Sequence, residues 1–335
     1  MPERIAVIGA GSWGMAIARL LDQNGHAVTL WAYTTDEYHQ LTAVRGIPDR
    51  LKGFRLPPSI EVSQDLPSVV GGATLIVLAV PSQFLRSVLK QMVRSITSDV
   101  GLVNLAKGVE IGSLKRMSEV IEEVARVGLE RVVTLSGPSH AEEVILDMPT
   151  TVVVAGRSEQ LAARVQGIFS RSTFRAYTSP DLIGVELGGS LKNIIALASG
   201  IVDGLGFGDN TKGALITRGL AEITRLGMSM GAQAETFAGL SGIGDLVATC
   251  TSRHSRNRFV GERIGRGERL EHILAAMTMV AEGVDTTRSG FELAKRFEVE
   301  MPITSEVHRV LFENKPPAEA VAQLMGRSLK AEIWQ

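Results

Sequence analysis

Residues 4–31 read RIAVIGAGSWGMAIARLLDQNGHAVTLW. Ile5–Ile8 is a short apolar run of strand type, and Gly9, Gly11 and Gly14 follow it at the spacing G-x-G-x-x-G. Alone, that spacing also occurs in glycine-rich turns that bind nothing. Here a helix is expected from about Ser12 to Asn24, Gly25 can end it, and a second strand, Ala27–Trp31, comes next. Strand, glycine turn, helix and strand in this order form the context in which the spacing signals a dinucleotide site. Gly9 permits the tight turn, Gly11 lets the backbone approach a pyrophosphate, and Gly14 lets helix and strand pack closely. The helix N-terminus then offers free N–H groups and a partial positive charge to the phosphates.

The far end of this unit bears on the cofactor. An NAD site usually carries an acid about 20 residues on, at the end of the second strand. This strand ends Trp31-Ala32-Tyr33, Asp36 and Glu37 come slightly late, and no arginine stands directly at the strand end. NADP(H) is therefore favoured and NAD(H) is the alternative, with Tyr33 beside the cofactor.

Outward from residue 31, short β-branched runs continue to alternate with helical patterns. Strands are expected at Thr74–Ala79, Gly101–Leu105, Val132–Leu135, Thr151–Val154 and Phe174–Tyr177. Continuous apolar strands alternating with helices indicate a mostly parallel sheet covered on both faces. After Tyr177 the strand signal fades. Helices are expected at Leu182–Val202, Thr211–Met230, Gly244–Thr251, Ser255–Ile264, Leu270–Ala275, Arg288–Phe297, Ile303–Phe312 and Pro317–Leu324. The fold class expected is an α/β Rossmann-like N-terminal domain, residues 1–180, joined to an all-α C-terminal domain, residues 181–335. The break falls near Ser179-Pro180. The length, 335 residues, suits two domains.

Composition narrows the function classes. Hydrophobic residues make up 44%, charged residues 21%, and the net charge is −1. No bulk charge draws this chain to nucleic acid or an anionic membrane, so any anion site must be local. Cys250 is the one cysteine, which rules out an internal disulfide framework and a Cys-rich zinc site and fits a reducing cytoplasm. A free cysteine of this kind is more often a small buried hydrophobe than a nucleophile. No His/Asp/Glu set shows metal-ligand spacing, so no metal is expected. The N-terminus MPERIAVIG carries no signal-peptide pattern. The uncharged stretch Leu66–Leu85 is interrupted by Pro67, Gly71, Gly72 and Pro81, and reads as a buried strand followed by a turn instead of a membrane span.

Three strand ends should share the crevice with the glycine turn: Ala79-Val80-Pro81-Ser82, Ala106-Lys107-Gly108 and Ser136-Gly137-Pro138-Ser139. Two lone charges stand out further on. In the sixteen residues between Glu186 and Asp203 only Lys192 is charged, beside the stripe Leu191, Ile194, Ile195, Ala198 and Val202. In the seventeen residues Thr236–Ser252 only Asp245 is charged, and Thr249 shares its helical face. Either charge alone could snorkel at a helix end. Together they invite pairing, because an isolated buried charge is costly. Next comes SRHSRNR, residues 252–258, in which Arg253, Arg256 and Arg258 stand among Ser252, Ser255 and Asn257. Such a run is often a solvated basic turn, but its guanidinium, hydroxyl and amide groups suit a phosphate. His140 and His254 are weaker candidates for a base, with no clear carboxylate partner.

With GAGSWG, AVPSQFLR, AKGVE, LSGPSHAEEV, ELGGSLKN, DGLGFGDNTKGALITRGLAE, GLSGIGDLVATCTSRHSRNR and EGVDTT, the chain resembles the bacterial type of NAD(P)-dependent glycerol-3-phosphate dehydrogenase. The likeness spans residues 5 to about 290, and MPITSEVHRVLF extends it to 312. It implies hydride transfer between a nicotinamide and the pair dihydroxyacetone phosphate and sn-glycerol 3-phosphate, in the cytoplasm, supplying phospholipid synthesis. It implies that Lys192 is the proton donor and acceptor. Substrate contacts are implied for Lys107, Gly137, Ser139, Asp245, Ser255, Arg256 and Asn257, with Lys192, Asn193 and Thr249 in the same set. Cofactor contacts are implied for Ser12, Trp13, Lys107, Ala141, Arg256, Val280 and Glu282, beside Gly9, Gly11, Gly14 and Tyr33. The adenine side departs from the family: Tyr33 stands where His or Arg is frequent, and RLKGFRLPP, residues 50–58, replaces N-x-x-Y/F-L-P-G.

Two rivals share parts of this pattern. A β-hydroxyacid dehydrogenase also carries a Gly-Gly…Lys helix, but typically with Asn four residues past the lysine, where this chain has Ala196. A non-catalytic NADP-sensing module would need GAGSWG but neither Lys192 nor Asp245. Helices rich in small residues in the second half leave room for a homodimer.

Overall fold

A computed structural model describes residues 2–329 and 331–332. The remaining residues of the expected domains, 1, 330 and 333–335, lie outside the described residues.

The strands are β1 (Arg4–Ile8), β2 (Ala27–Trp31), β3 (Glu61–Ser63), β4 (Leu75–Leu78), β5 (Gly101–Asn104), β6 (Val132–Ser136), β7 (Thr150–Gly156) and β8 (Phe174–Ser179). They form a sheet in the order β3-β2-β1-β4-β5-β6-β7-β8. Every neighbouring pair is parallel except β6 and β7. The inner strands β1, β4, β5 and β6 are buried almost throughout because both faces are covered. Val7, Val77 and Val103 pack under the helices Ser12–Gln23 and Glu159–Phe169 through Met15, Leu20, Val165 and Phe169. Ala6, Ile8, Ile76 and Leu102 face the other way, against Leu85, Leu89, Met117 and Ile121. The chain leaves β1 for β2 on one side and returns to β4 on the other, so a crevice opens at the carboxyl ends of β1 and β4, the usual ligand position in such a sheet.

Several elements differ from expectation. The edge strand β3 is three residues long, with a polar, half-exposed sequence that leaves little alternation to read. Within the uncharged stretch, Leu66–Val70 is a helical turn, because Asp65 accepts from Ser68 N and Pro67 fits the first turn. The strand is confined to Leu75–Leu78. The short helix Ala234–Phe237 was not expected, and the helix expected from Arg288 begins at Glu282.

From Leu182 on, the described chain is helical. The 23-residue helix Leu182–Gly204 (the lysine helix) is long and apolar enough to cross a membrane by length and composition, and all of it but Ile183, Asp203 and Gly204 is buried inside the protein. Its first turn, Leu182 and Val185, packs with the sheet's second face, and Leu187–Ile201 forms the centre of the helical core. One helix therefore runs from the sheet into the helical half.

Glu186 joins the two halves. Its carboxylate accepts from Arg116 Nη1 at 2.5 Å, Ser118 N at 2.8 Å, Ser118 Oγ at 2.6 Å and Thr134 Oγ1 at 3.2 Å, and Arg116 is itself buried.

Across the other face of the lysine helix lies Arg256–Gly265 (the arginine helix). Their backbones touch: a Cβ on Gly200 would stand 2.0 Å from Arg258 O, and one on Gly261 would stand 2.0 Å from Leu197 O. No side chain can yield there, since the obstacle is backbone. Gly200→Ala is expected to push the two helices apart and destabilise the protein by about 1–3 kcal/mol, the usual range for overpacking. Because the displaced helix starts at Arg256, substrate KM should rise as well. Urea unfolding and initial-rate kinetics on the same preparation check both.

Candidate active site

The crevice is a cleft of about 420 Å³, within the range of small-molecule sites. Its floor is the glycine turn. Gly9 has φ +114°, and a Cβ there would meet Ala79 O at 2.8 Å. Gly14 lies behind the turn, where a Cβ would meet Gly9 O at 1.9 Å. Gly11, the N-cap of Ser12–Gln23, has no side-chain cap, and a Cβ on it would enter open space. That space is where a pyrophosphate would meet the helix N-terminus. Trp13 Nε1 is a buried donor with no partner. An open anion seat and an orphaned donor on one cleft fit a dinucleotide.

Lys192 faces the same cleft from the lysine helix. It is 5% exposed, and Asp245 behind it is 2% exposed. Lys192 Nζ donates to Asp245 Oδ1 and, at 2.7 Å, to Thr249 Oγ1. Lys107, just past β5, donates to Asp245 Oδ2 at 2.9 Å and to Gly137 O at 3.0 Å. One carboxylate thus holds two ammonium groups, leaving the cluster one positive charge in excess. Asp245 and Thr249 are brought there by the helix Asp245–Thr251, entered through a π turn at Leu240–Gly244 that is kinked at Gly242.

Burial pushes the Lys192 ammonium down, Asp245 pulls it back up, Lys107 lowers it again, and it settles at about 8. Burial opposes ionisation of Asp245, but Lys107 and Lys192 outweigh it and hold the carboxyl below its usual range. A lysine near 8 can give or take a proton near neutral pH, which an exposed lysine cannot do efficiently.

Asn193 and Asn257 continue the wall. Asn257 Nδ2 donates to Asn193 Oδ1 at 2.9 Å, and Gly283 N donates to Asn257 Oδ1 at 2.9 Å. Asn193 Nδ2 donates to Lys107 O at 3.3 Å. The amides therefore fix the lysine helix, the arginine helix and the helix Glu282–Arg296 to one another at the cleft. Ser255 caps the arginine helix through Arg258 N. The exposed Arg256 donates from Nη1 to Val280 O at 2.8 Å, and Glu282 accepts from Ser82 N at 2.8 Å across the cleft. Burial raises the Glu282 carboxyl above its usual range.

Of the residues singled out from sequence, Gly9, Gly11, Ser12, Trp13, Tyr33, Lys107, Ser139, Ala141, Lys192, Asn193, Thr249, Ser255, Arg256, Asn257, Val280 and Glu282 line the cleft. Gly14, Gly137 and Asp245 do not. Gly14 packs helix on strand, the Gly137 carbonyl accepts from Lys107 and Ser139, and Asp245 stands one layer back, holding the lysines. Of the other arginines, Arg258 pairs with Asp203 at 2.7 Å and Arg253 lies outside the lining. His140 and His254 line the cleft with ring centres 6.1 Å apart. His140 contacts Ala248 O at 3.5 Å, and burial, then Lys192, lowers its pKa. Burial raises the Cys250 thiol to about 12, leaving it no nucleophile at neutral pH.

One lining residue that sequence reasoning missed is Arg50. It enters from an irregular segment to pair with Glu37, and both line the wall together with Tyr33. Its position in RLKGFRLPP, the stretch where the family pattern fails, was the available signal.

Two family descriptions match: "NAD-dependent glycerol-3-phosphate dehydrogenase N-terminus" over residues 4–162 and the corresponding C-terminus over residues 181–322. The chain is 52% identical over 332 residues to "Glycerol-3-phosphate dehydrogenase [NAD(P)+]" of Geobacillus kaustophilus, covering 99% of this chain and 96% of that one. A protein of the same name from Syntrophotalea carbinolica is 53% identical over 330 residues, covering 98% and 99%. The crystal structure of glycerol-3-phosphate dehydrogenase from Coxiella burnetii superposes with a TM-score of 0.93 at 38% identity, covering 97% of this chain and 99% of that one.

Proposed function

The chain belongs to the NAD-dependent glycerol-3-phosphate dehydrogenase family, and on that premise we propose that it interconverts dihydroxyacetone phosphate and sn-glycerol 3-phosphate, with Lys192 as the acid and base. The observation carrying this is the buried Lys192–Asp245–Lys107 cluster on the same cleft as the glycine turn and Arg256.

A bound nicotinamide supplies or accepts the hydride at C2. The protein's part is the proton. As the C2 oxygen gains negative charge, the Lys192 ammonium gives it a proton, and the product is the secondary alcohol. In reverse, neutral Lys192 takes the hydroxyl proton. Asp245 and Thr249 aim the amine, and Lys107 adds a second positive charge to the site. Arg256 and Asn257 hold the phosphate, so binding energy remote from C2 fixes the reacting carbonyl. Gly9, Gly11, Ser12 and Trp13 hold the dinucleotide. NADP(H) is the favoured form, supported by the Arg50 guanidinium, which lines the cleft beside Tyr33 with N–H donors to spare. The lone cysteine supports a cytoplasmic setting, where the product would feed phospholipid synthesis.

Initial rates with dihydroxyacetone phosphate and each reduced cofactor test the reading. Oxidation of neither cofactor would remove it. Arg256→Ala is expected to lower kcat/KM for the phosphorylated ketone by roughly 10- to 100-fold, the worth of a charge-assisted hydrogen bond. Dihydroxyacetone, which lacks the phosphate, should be affected far less. An equal loss on both substrates would show that Arg256 does not bind the phosphate.

A further inference from the structure

The chain between Val44 and Ile60 folds back across the glycine turn. Arg45 Nη2 pins its far end, donating to Pro57 O at 2.5 Å and Ile60 O at 2.7 Å. In its middle, Arg50 O accepts from Ser12 Oγ at 3.2 Å, and Arg50 Nη1 donates to Ala10 O at 2.7 Å. Arg50 Nη2 forms an ion pair with Glu37 Oε1. Glu37 Oε2 accepts from Tyr33 N at 3.1 Å and Thr34 N at 3.3 Å, within the capping box that starts the helix Thr35–Ala43. Tyr33, Glu37 and Arg50 all line the cleft at the carboxyl end of β2.

This is where a dinucleotide fold reads the ribose 2′ position, by an acid for the hydroxyl or by an arginine for the phosphate. This chain sets one of each there, paired. The guanidinium has five N–H donors. Two are spent on Ala10 and Glu37, leaving three. The Glu37 carboxylate keeps about one acceptor site as well, since it accepts three hydrogen bonds where about four sites exist. Paired, the two groups present little net charge to either ribose form.

We infer that the Glu37–Arg50 pair selects the cofactor: Arg50 takes a 2′-phosphate with its remaining donors, Glu37 takes a 2′-hydroxyl, and each restrains the other. This rests on the dinucleotide reading of the cleft. It makes the chain a user of both nicotinamide cofactors, with the acid limiting its preference for the phosphorylated one.

The test is calorimetric binding of ADP-ribose and 2′-phospho-ADP-ribose to the full chain, neither of which can be turned over. Arg50→Met should weaken the 2′-phosphorylated ligand roughly 10- to 100-fold, by loss of charge-assisted hydrogen bonds, and ADP-ribose by less than about threefold. Glu37→Gln keeps the capping-box geometry, because Gln serves at that position too. It should tighten the 2′-phosphorylated ligand several-fold and weaken ADP-ribose. The two variants must therefore move the ratio of affinities in opposite directions. Equal shifts in both ligands, or ratios moving together, would overturn the inference and leave the pair a structural clasp. If Arg50→Met fails to fold, Glu37→Gln decides alone by the same criterion. If the parent binds neither ligand, the inference falls with the dinucleotide reading. A parent that binds both but oxidises no reduced cofactor with dihydroxyacetone phosphate would refute the proposed reaction while leaving the selector intact.

Discussion

Lys192→Met is expected to lower kcat by about 10²–10⁴, the usual contribution of a positioned general acid. Reduced-cofactor binding should be unchanged, because methionine fills the same volume and the glycine turn is untouched. The pH dependence gives a sharper readout. Reduction of the ketone needs the ammonium, so its rate in the parent should fall as pH rises through about 8. Oxidation of the alcohol needs the free amine, so its rate should rise through the same region. The neighbours move this point in opposite senses. Asp245 raises the lysine's pKa and Lys107 lowers it. Asp245→Asn should therefore shift the reduction limb to lower pH, and Lys107→Met should shift it to higher pH. Profiles of kcat against pH in both directions, with cofactor affinity followed by quenching of protein fluorescence, check all three variants. A Lys192→Met enzyme with near-parental turnover would end the assignment. So would an unmoved limb in both neighbour variants, since the lysine could not then be the group that titrates.

Much of this arrangement was legible because its causes are local. The strand, glycine turn and helix at residues 4–23 follow from sequence periodicity and the small size of three glycines. Lys192 and Asp245 were legible as partners although 53 residues separate them, because each is the only charge in an apolar segment and neither tolerates burial alone. The layering was less visible. Asp245 stands one layer behind the cleft lining and holds both lysines; residue type alone does not distinguish a group that lines a wall from one that holds it. Arg50 went unread for a different reason. It lies nineteen residues past Trp31 in a segment with no period, placed by hydrogen bonds to carbonyls, which every residue possesses. The start of the helix at Glu282 was hidden likewise, since its first residue accepts from a backbone N–H two hundred positions away.

Glu186→Ala is expected to destabilise the protein by about 3–5 kcal/mol, as breaking a buried ion pair typically does. The loss is large because the alanine takes away the acceptor of four donors at once: Arg116 Nη1, Ser118 N, Ser118 Oγ and Thr134 Oγ1. Arg116 keeps Ser118 Oγ at 3.1 Å and, as its one remaining carboxylate, the partly exposed Glu119 at 3.2 Å, so its desolvation is no longer offset by a buried charge. The position of the pair gives this loss a functional consequence. Glu186 stands six residues before Lys192 on one helix, roughly 9 Å along its axis at 1.5 Å per residue. It binds that helix to the N-terminal turn of the helix Met117–Ala125 and to β6, the part of the sheet that borders the cleft. Freed from this anchor, the lysine helix should hold its amine less accurately, lowering kcat while leaving the pH midpoint near 8, because the groups facing Lys192 are unchanged. The paired change Arg116→Met with Glu186→Met distinguishes a buried charge left alone from a lost shape. Replacing both partners of a buried pair by apolar groups of similar volume is often neutral. The double variant should therefore recover most of the urea midpoint lost in Glu186→Ala. A double variant as unstable as the single one would mean that the hydroxyls and the Ser118 amide, not the arginine, depend on this carboxylate.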